Sequence, residues 1–269
     1  MAHMRVLVFT LCLLFLGPPS AHADVNAGWE AYRAGDYQKA RDLFEAAGGA
    51  EGYAAACRTG LVLGGFFENG ETQVHTLHRA LDDCNAAIEL DGDQLDARIS
   101  YAVGLGFEGK RLKKVKYAKA SRRKLEDLIV VSGDYGILHA ALGGWHTTVY
   151  EAGFFARLAL GAKRGIARQQ FEKAVTLAPN DIGVRFEFIK YLAYGKKDEH
   201  KEALEEIKQV SALPAHDAFD RFLVAQARTI GAMIVAGSED GLEAALEAAT
   251  PFASIRDHKN LPAYPLETD

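Results

Sequence analysis

The sequence predicts an all-α protein, a right-handed solenoid of roughly ten to thirteen helices stacked as antiparallel hairpins. Three observations predict this class: one helical spacing pattern recurs four times, strand-like runs are nearly absent, and only seven prolines occur in 269 residues. The composition is 49% hydrophobic and 25% charged, which suits a soluble chain with a sizeable core. Global disorder is therefore excluded.

Residues 1–23 have the order of a secretory signal peptide. Arg5 is followed by an apolar run from Val6 to Leu16 and then by the small-residue end Ala21-His22-Ala23. This run is too short to cross a bilayer, for which a helix needs about 20 residues. We therefore expect cleavage before Asp24, a periplasmic location and no transmembrane segment in the mature chain.

The charge balance argues against nucleic acid as a partner. The chain has 36 acidic and 31 basic side chains, and cleavage would remove only one base, Arg5. The mature protein would therefore be acidic, and it would not bind nucleic acid through its overall charge.

Cys57 and Cys84 are the two cysteines that remain after cleavage. With helices predicted over 52–67 and 72–90, they lie at similar heights on an antiparallel hairpin, because each residue raises a helix by about 1.5 Å. An oxidising compartment would let them form a disulfide. Free cysteines are also among the most buried side chains, so a disulfide and two buried thiols both stay open.

The recurring pattern places a small residue at i, a larger one at i+4 and a small or medium one at i+7. Its occurrences are Ala40-x3-Phe44-x2-Ala47, Ala80-x3-Cys84-x2-Ala87, Ala167-x3-Phe171-x2-Ala174 and Ala203-x3-Ile207-x2-Val210. Their first residues are 40, 87 and 36 positions apart, so the longest gap leaves room for one further, diverged unit. Small residues let helices approach closely, which is typical of helical hairpins.

Helix stop and start signals accompany this pattern. Asp36 is a candidate N-cap in the turn before Ala40. Pro179 ends one helix before Asn180 or Asp181 caps the next, and Asp217 follows Pro214 in the same way.

Two stretches resemble tetratricopeptide repeats (TPR). Residues 27–47 and 163–195 carry the matching positions, namely Gly28, Ala31, Tyr32, Gly35, Asp36, Tyr37, Ala40, Phe44 and Ala47 in the first and Ala174, Leu177, Pro179 and Asn180 in the second. The resemblance implies a TPR-like α-solenoid, which we place over residues 24–250. From Gly133 to Phe222 the chain is also similar to the periplasmic T-component proteins of TRAP-type transporters, which are helical-repeat proteins.

The last 19 residues have a different composition. Three of the seven prolines, Pro251, Pro262 and Pro265, lie there. We predict an irregular tail over residues 251–269, either loose or laid across the end of the solenoid.

Gly104-x-Gly106-x2-Gly109 has the glycine spacing of a dinucleotide-binding turn. Such a turn needs parallel strands, and nothing else in the chain predicts them. We therefore expect these glycines inside the first helix of a hairpin, and no nucleotide cofactor.

Residues 110–124 hold nine bases and no acid. Leu112, Val115 and Leu125 keep an apolar face, so the bases point outward. This stripe is either a docking face for an acidic partner or a solvated surface that balances acidic neighbours. The residues of the predicted docking face are Lys113, Lys114, Lys116, Lys119, Arg122 and Arg123.

Histidines provide the remaining chemical candidates. His75, His78 and Asp82 share one helical stripe but form an incomplete ligand set, so we predict no metal. A binding groove is predicted instead around a second set of residues, Tyr101, His139, His146, Tyr150 and Arg157. The alternative is that these residues serve helix packing around Trp145.

No nucleophile motif is present: Gly-x-Ser-x-Gly, His-Glu-x2-His and the phosphate-loop pattern are all missing. The sequence therefore favours a non-enzymatic scaffold that binds a protein or peptide, acidic if the basic stripe takes part, in its concave groove. The alternative is a small-molecule-binding accessory of a periplasmic transport system, which predicts an enclosed apolar cavity. An enzyme is the third hypothesis, and the oligomeric state is not predicted.

Overall fold

The computed structural model describes residues 21–266, with side chains from Val25 onward. Most of the predicted signal peptide, residues 1–20, lies outside the described residues. Within the described chain there are thirteen α-helices, a short 3-10 helix (Ile255–His258) and no strand. The all-α class is confirmed.

The helices follow one another with short connections. They are α1 (Ala21–Ala34), α2 (Tyr37–Ala47), α3 (Gly49–Phe66), α4 (Gly70–Leu90), α5 (Leu95–Leu112), α6 (Val115–Ser132), α7 (Gly136–Glu151), α8 (Phe154–Leu160), α9 (Arg164–Leu177), α10 (Ile182–Ala193), α11 (Lys197–Ala212), α12 (Ala218–Ala236) and α13 (Glu239–Ala248). No helix within residues 21–266 is long and apolar enough to cross a membrane.

The helices pair into six hairpins, which are α1/α2, α3/α4, α5/α6, α7/α9, α10/α11 and α12/α13. The seven-residue α8 is inserted between α7 and α9, which pack directly on each other. The predicted stack of helical hairpins is therefore confirmed.

The four copies of the recurring pattern fall on the second helices of their hairpins, α2, α4, α9 and α11. Their small and large residues are buried, as Ala40, Phe44, Ala167 and Phe171 show with no exposed surface. These positions form the seam of each hairpin.

The diverged unit in the 87-residue gap is the α5/α6 hairpin. Ser121, Leu125 and Leu128 occupy the pattern positions of α6, and each is at most 2% exposed. Sequence spacing could not find this copy because serine stands where the other four have alanine.

Glycines on the first helices receive the large residues of the second helices. A Cβ atom at Gly28 would overlap the Phe44 ring, and one at Gly143 would come within 3.0 Å of the Phe171 ring. Gly104, Gly106 and Gly109 likewise lie inside α5, against α4 and α6. The dinucleotide-type spacing therefore reflects close helix packing.

Two of the three predicted N-caps are confirmed. Asp181 accepts a hydrogen bond from the N–H of Val184 at 2.8 Å, and Asp217 accepts one from Asp220 at 2.7 Å. Asp36 does occupy the N-cap position of α2, but its side chain makes no capping hydrogen bond. The main chain forms this turn instead, through the N–H of Ala40 and the carbonyl of Asp36.

The first helices of the hairpins contact one another in the order α1, α3, α5, α7, α10 and α12, and α12 returns to α1. These six helices therefore form an inner layer that closes on itself. The aromatic rings of Phe66 and Phe67 at the end of α3 pack against Phe222 of α12, at 5.4 and 5.2 Å between centroids. This cluster joins the first half of the stack to its last hairpin.

Cys57 of α3 and Cys84 of α4 face each other in the second hairpin. Their Cα atoms are 5.2 Å apart and their sulfur atoms are joined in the structure. The Cα separation lies in the usual range for a disulfide. Of the two possibilities that the sequence leaves open, the structure contains the disulfide.

The chain after α13 contacts two helices of the inner layer, first α10 and then α3. The Lys190 ammonium of α10 donates to the carbonyl of Ala249 at 3.4 Å, and the N–H of Phe252 donates to the carbonyl of Gly65 in α3 at 2.9 Å. Phe252 and Ile255 have no exposed surface. Residues 251–266 are therefore irregular, apart from the 3-10 helix, but firmly packed.

Candidate functional site

A groove between α4, α5 and α6 holds residues 258–264, and we call it the tail groove. Arg111 of α5 forms its floor. Its guanidinium donates to the carbonyls of His258 at 2.8 Å, Leu261 at 3.1 Å and Pro262 at 2.8 Å. Because these acceptors are main-chain atoms, the groove holds the turn after the 3-10 helix largely through its backbone.

Glu108 holds Arg111 in position. The carboxylate accepts two hydrogen bonds from the guanidinium, at 2.6 and 2.8 Å, and neither residue has exposed surface. Burial alone would raise the pKa of Glu108, but hydrogen bonds from Arg111, His78 and the N–H of Tyr264 outweigh it and lower the pKa to about 2. The carboxylate therefore stays charged.

Tyr264 is the anchor of the tail. Its N–H donates to Glu108, and its carbonyl accepts from the Tyr117 hydroxyl at 2.6 Å. Its own hydroxyl donates to Asp82 and accepts from Asn85, each at 2.9 Å. Every polar group of this residue is paired in the groove, as buried polar groups generally require.

These contacts explain the metal-like spacing of α4. His78 contacts the Glu108 carboxylate at 3.3 Å and Asp82 accepts from Tyr264, while His75, one turn earlier on the same stripe, is exposed. Among residues 21–266 no group of three or more His, Cys, Asp or Glu side chains is arranged to hold a metal.

A second, open site lies on the inner layer around Arg58 of α3. The cavity there has a volume of about 150 Å³. Its lining residues come from α1, α3 and the start of α5: Trp29, Glu51, Ala54, Ala55, Arg58, Gln94 and Asp96.

The Arg58 side chain lines this opening and is exposed to solvent. Desolvation acts to lower its pKa, but Tyr32, Asp96 and Asp181 outweigh this effect and raise the pKa. Within residues 21–266 the guanidinium makes no hydrogen bond or ion pair, since its charged neighbours lie beyond direct contact. Its five N–H donors therefore have no acceptor among the described residues.

Tyr32 of α1 lies beside this charge. The residue is 2% exposed, and its buried hydroxyl has no hydrogen-bond partner among the described residues. Burial raises the pKa of Tyr32, so the hydroxyl remains protonated. An unpaired buried hydroxyl is costly, at about 1–3 kcal/mol, and it is a group that a ligand or a water molecule would satisfy.

The predicted groove residues are placed differently from expectation. Tyr101, His139 and His146 are 3%, 1% and 2% exposed and belong to the hairpin interiors. The His139 ring is hydrogen-bonded to the Gln170 side chain at 2.6 Å and to the carbonyl of Gly133 at 3.0 Å. They are not available to line an open groove, because they face neighbouring helices.

Tyr150 and Arg157 do come together. The Arg157 guanidinium lies 4.2 Å from the centre of the Tyr150 ring and joins α8 to the end of α7. Both are half-buried, and neither faces the Arg58 cavity.

The basic stripe divides between two roles. Arg111 and Lys110 point inward, and Lys110 donates to the carbonyl of Phe252 at 2.9 Å. Burial, with Arg256 and Lys190 nearby, lowers the pKa of Lys110 to about 8. Arg122 is half-buried and donates to the carbonyl of Leu160 at 2.8 Å. The exposed remainder of the predicted docking face is Lys113, Lys114, Lys116, Lys119 and Arg123.

Sequence reasoning missed Arg58, Tyr32, Glu108 and Tyr264. Glu108 and Arg111 are spaced i, i+3 on one helix, which is a pairing signal. Their role with Tyr264 depends on a contact across 156 residues of chain, and local patterns do not encode such a contact.

Comparison with solved structures supports the architecture. A thermophilic TPR protein of Thermus thermophilus, known from a crystal structure, has a TM-score of 0.55 and 20% sequence identity, over 77% of this chain and 98% of that chain. The expected TPR-like fold is confirmed at the level of the fold. The chain matches no protein-family model and no curated protein. The similarity to T-component proteins stays a prediction.

Proposed function

We propose that this protein is a non-enzymatic interaction scaffold whose inner layer binds an extended segment of a partner protein at Arg58. The TPR-like fold supports a role in protein interaction in general. The finer assignment depends on one observation, the exposed Arg58 side chain, which lines the inner opening and has no hydrogen-bond or ion-pair partner among residues 21–266.

The chemistry of this opening suits a peptide more than a single ion. Arg58 offers donors for a carboxylate or a main-chain carbonyl of the partner. Asp96, in the first turn of α5, accepts from the Tyr135 hydroxyl at 2.9 Å through Oδ1, and its carboxylate keeps a second oxygen for an N–H or ammonium group of the partner. The tail groove supports this proposal, because this repeat stack already holds an irregular segment, its own residues 258–264, through hydrogen bonds from a buried arginine to main-chain carbonyls.

Site-specific photocrosslinking tests the proposal. A photoreactive phenylalanine analogue at Gln94, which lines the cavity, should give a discrete adduct in the native cell envelope. The same analogue at Lys173, exposed on α9, is the control and should not give that adduct. Arg58→Glu should remove the adduct at position 94 without changing the helical content.

Two results would contradict the site. One is an identical adduct from positions 94 and 173. The other is an adduct at position 94 that persists in the Arg58→Glu protein, because binding would then not depend on the unpaired cation.

We also propose that the scaffold is exported and acts in the periplasm. The order of residues 5–23 supports this. The mass of protein recovered from a periplasmic fraction should correspond to a chain that begins at Asp24. Recovery only from the cytoplasm, with Arg5 retained, would contradict export.

The small-molecule accessory has less structural support. Pockets for such ligands usually measure about 300–1,000 Å³ and are mostly apolar, whereas the Arg58 cavity has about 150 Å³ and carries Glu51, Arg58 and Asp96. Native mass spectrometry of freshly purified protein distinguishes the two functions, since a retained small-molecule mass would favour the accessory.

A further inference from the structure

The inserted helix α8 exposes large apolar side chains. Phe154, Phe155 and Leu158 are 66%, 83% and 73% exposed. The opposite side of α8 packs on the protein, where Ala156 and Leu160 contact the hydrophobic cluster of α6 and α7. The hairpin α7/α9 closes without α8, so hairpin packing does not account for these three side chains.

Basic residues flank this apolar surface. Arg122 of α6 donates to the carbonyl of Leu160, which fixes α6 beside the end of α8. Lys119 is one turn away from Arg122 on the same side of α6, because residues three and four apart share a helix face. Lys119 is exposed, and so is Lys116 one turn further.

Acids are few around the same surface, where Glu126 pairs with Arg122 at 3.2 Å and Glu151 ends α7. Residues 110–124 contain no acid, and residues 152–171 contain none either, although the chain as a whole has a net charge of −5. The region around α8 therefore has the opposite charge to the rest of the molecule, and a negatively charged partner would be attracted to it.

We propose that α8 and the exposed lysines of α6 form a docking surface for a bilayer that contains anionic phospholipids. Phe154, Phe155 and Leu158 would enter the boundary between headgroups and acyl chains, and Lys116 and Lys119 would contact lipid phosphates. Interfacial helices combine these features, large apolar side chains on one face and Lys or Arg beside them. Protruding rings suit a bilayer, which deforms around them, whereas a protein partner would have to supply a matching pocket.

Vesicle sedimentation with the full mature chain tests this proposal. The protein should sediment with vesicles that contain phosphatidylglycerol and remain in solution with vesicles of phosphatidylcholine alone. Binding should weaken as salt rises, because screening reduces the attraction between exposed lysines and phosphates.

Matched substitutions locate the surface. Phe155→Ser should lower the vesicle partition coefficient about tenfold or more, since it removes a large apolar side chain from the bilayer. Val235→Ser is the control, because Val235 is 76% exposed on α12, and it should leave binding unchanged. The pair Lys116→Glu and Lys119→Glu should abolish the preference for phosphatidylglycerol. Lys116 and Lys119 are both exposed, so circular dichroism should show that this double variant keeps its fold.

Three results would overturn the proposal. One is no binding to the phosphatidylglycerol vesicles, and another is equal binding by the Phe155→Ser protein. The third is a dimer that light scattering detects for the parent chain and not for Phe155→Ser, because a second copy would then cover α8.

Discussion

The N–H of Tyr264 donates a hydrogen bond to Oε1 of Glu108 at 2.9 Å, and this bond joins the tail to the C-terminal part of α5. The same carboxylate holds the Arg111 guanidinium that binds three further carbonyls of the tail. Two buried side chains therefore control whether residues 258–264 stay in their groove.

Glu108→Gln should release the tail. The substitution keeps the shape of the side chain but leaves the Arg111 charge buried without its counter-ion, so we expect a loss of about 3 kcal/mol in the free energy of unfolding. Hydrogen exchange should rise in residues 258–264. Asp198→Asn is the control, because Asp198 pairs with Lys201 on the exposed surface and should change stability by less than about 0.5 kcal/mol. Unchanged exchange in the tail would contradict this role of Glu108.

Gly28→Ala should destabilise the first hairpin. Alanine favours a helix over glycine by about 1 kcal/mol, but its Cβ would overlap the Phe44 ring, and overpacking of this kind costs about 1–3 kcal/mol. Gly165→Ala in α9 is the matched control, because a Cβ there meets no atom within 4 Å. Chemical denaturation should show a lower midpoint for Gly28→Ala and an equal or higher one for Gly165→Ala. A stabilised Gly28→Ala protein would rule out the close contact.

His146 should make stability depend on pH. Burial, with Arg122 and Lys163 nearby, lowers its pKa from 6.5 to about 4. Between these values the unfolded chain binds a proton at His146 and the folded chain does not, so stability falls as the pH drops from about 6.5 to about 4, by at most about 3 kcal/mol. Below pH 4 this contribution stops changing.

The measurement is the unfolding free energy of the parent and of His146→Gln at several pH values. The variant should lack the fall in stability between about pH 6.5 and pH 4 that His146 causes, whatever the stability of the variant at neutral pH. Parallel curves for the two proteins would show that the folded pKa of His146 is not lowered.

Cys57 and Cys84 should carry a disulfide in protein purified without reductant. Thiol labelling of the unfolded mature chain should detect no free thiol until a reductant is added. Reduction should lower the free energy of unfolding by about 3–4 kcal/mol, the size expected for closing a loop of this length, since the two cysteines are 27 positions apart. Two thiols detected without reductant would exclude the bridge.

The hairpin seams were predictable because they depend on spacing within single helices. Ala40 and Phe44 lie four positions apart and face the same neighbour, so their sequence pattern and their burial agree. Helix boundaries were predictable for the same local reason where Asp181 and Asp217 cap the next helix.

The binding surfaces were not predictable to the same degree. His139 and His146 do share one face of α7, as their spacing indicates, but spacing along one helix does not say whether that face meets solvent or another helix. Arg58 carries no motif, because its surroundings come from α1, α5 and α10 at distant points of the chain. The irregular backbone of the tail was predicted, but its binding site was not. Lys110 and Arg111, which hold the tail, appear in the sequence as part of a basic surface stripe.

The contact between α12 and α1 also limits how this stack can evolve. An open repeat array can gain or lose a unit by duplication or deletion, because each unit touches only its neighbours. Here α12 of the last hairpin contacts α1 of the first, so an added pair of helices would have to separate these two helices and a lost pair would leave a gap between them. The six hairpins of residues 21–266 are therefore joined end to end, and the inserted α8 lies outside the hairpin seams.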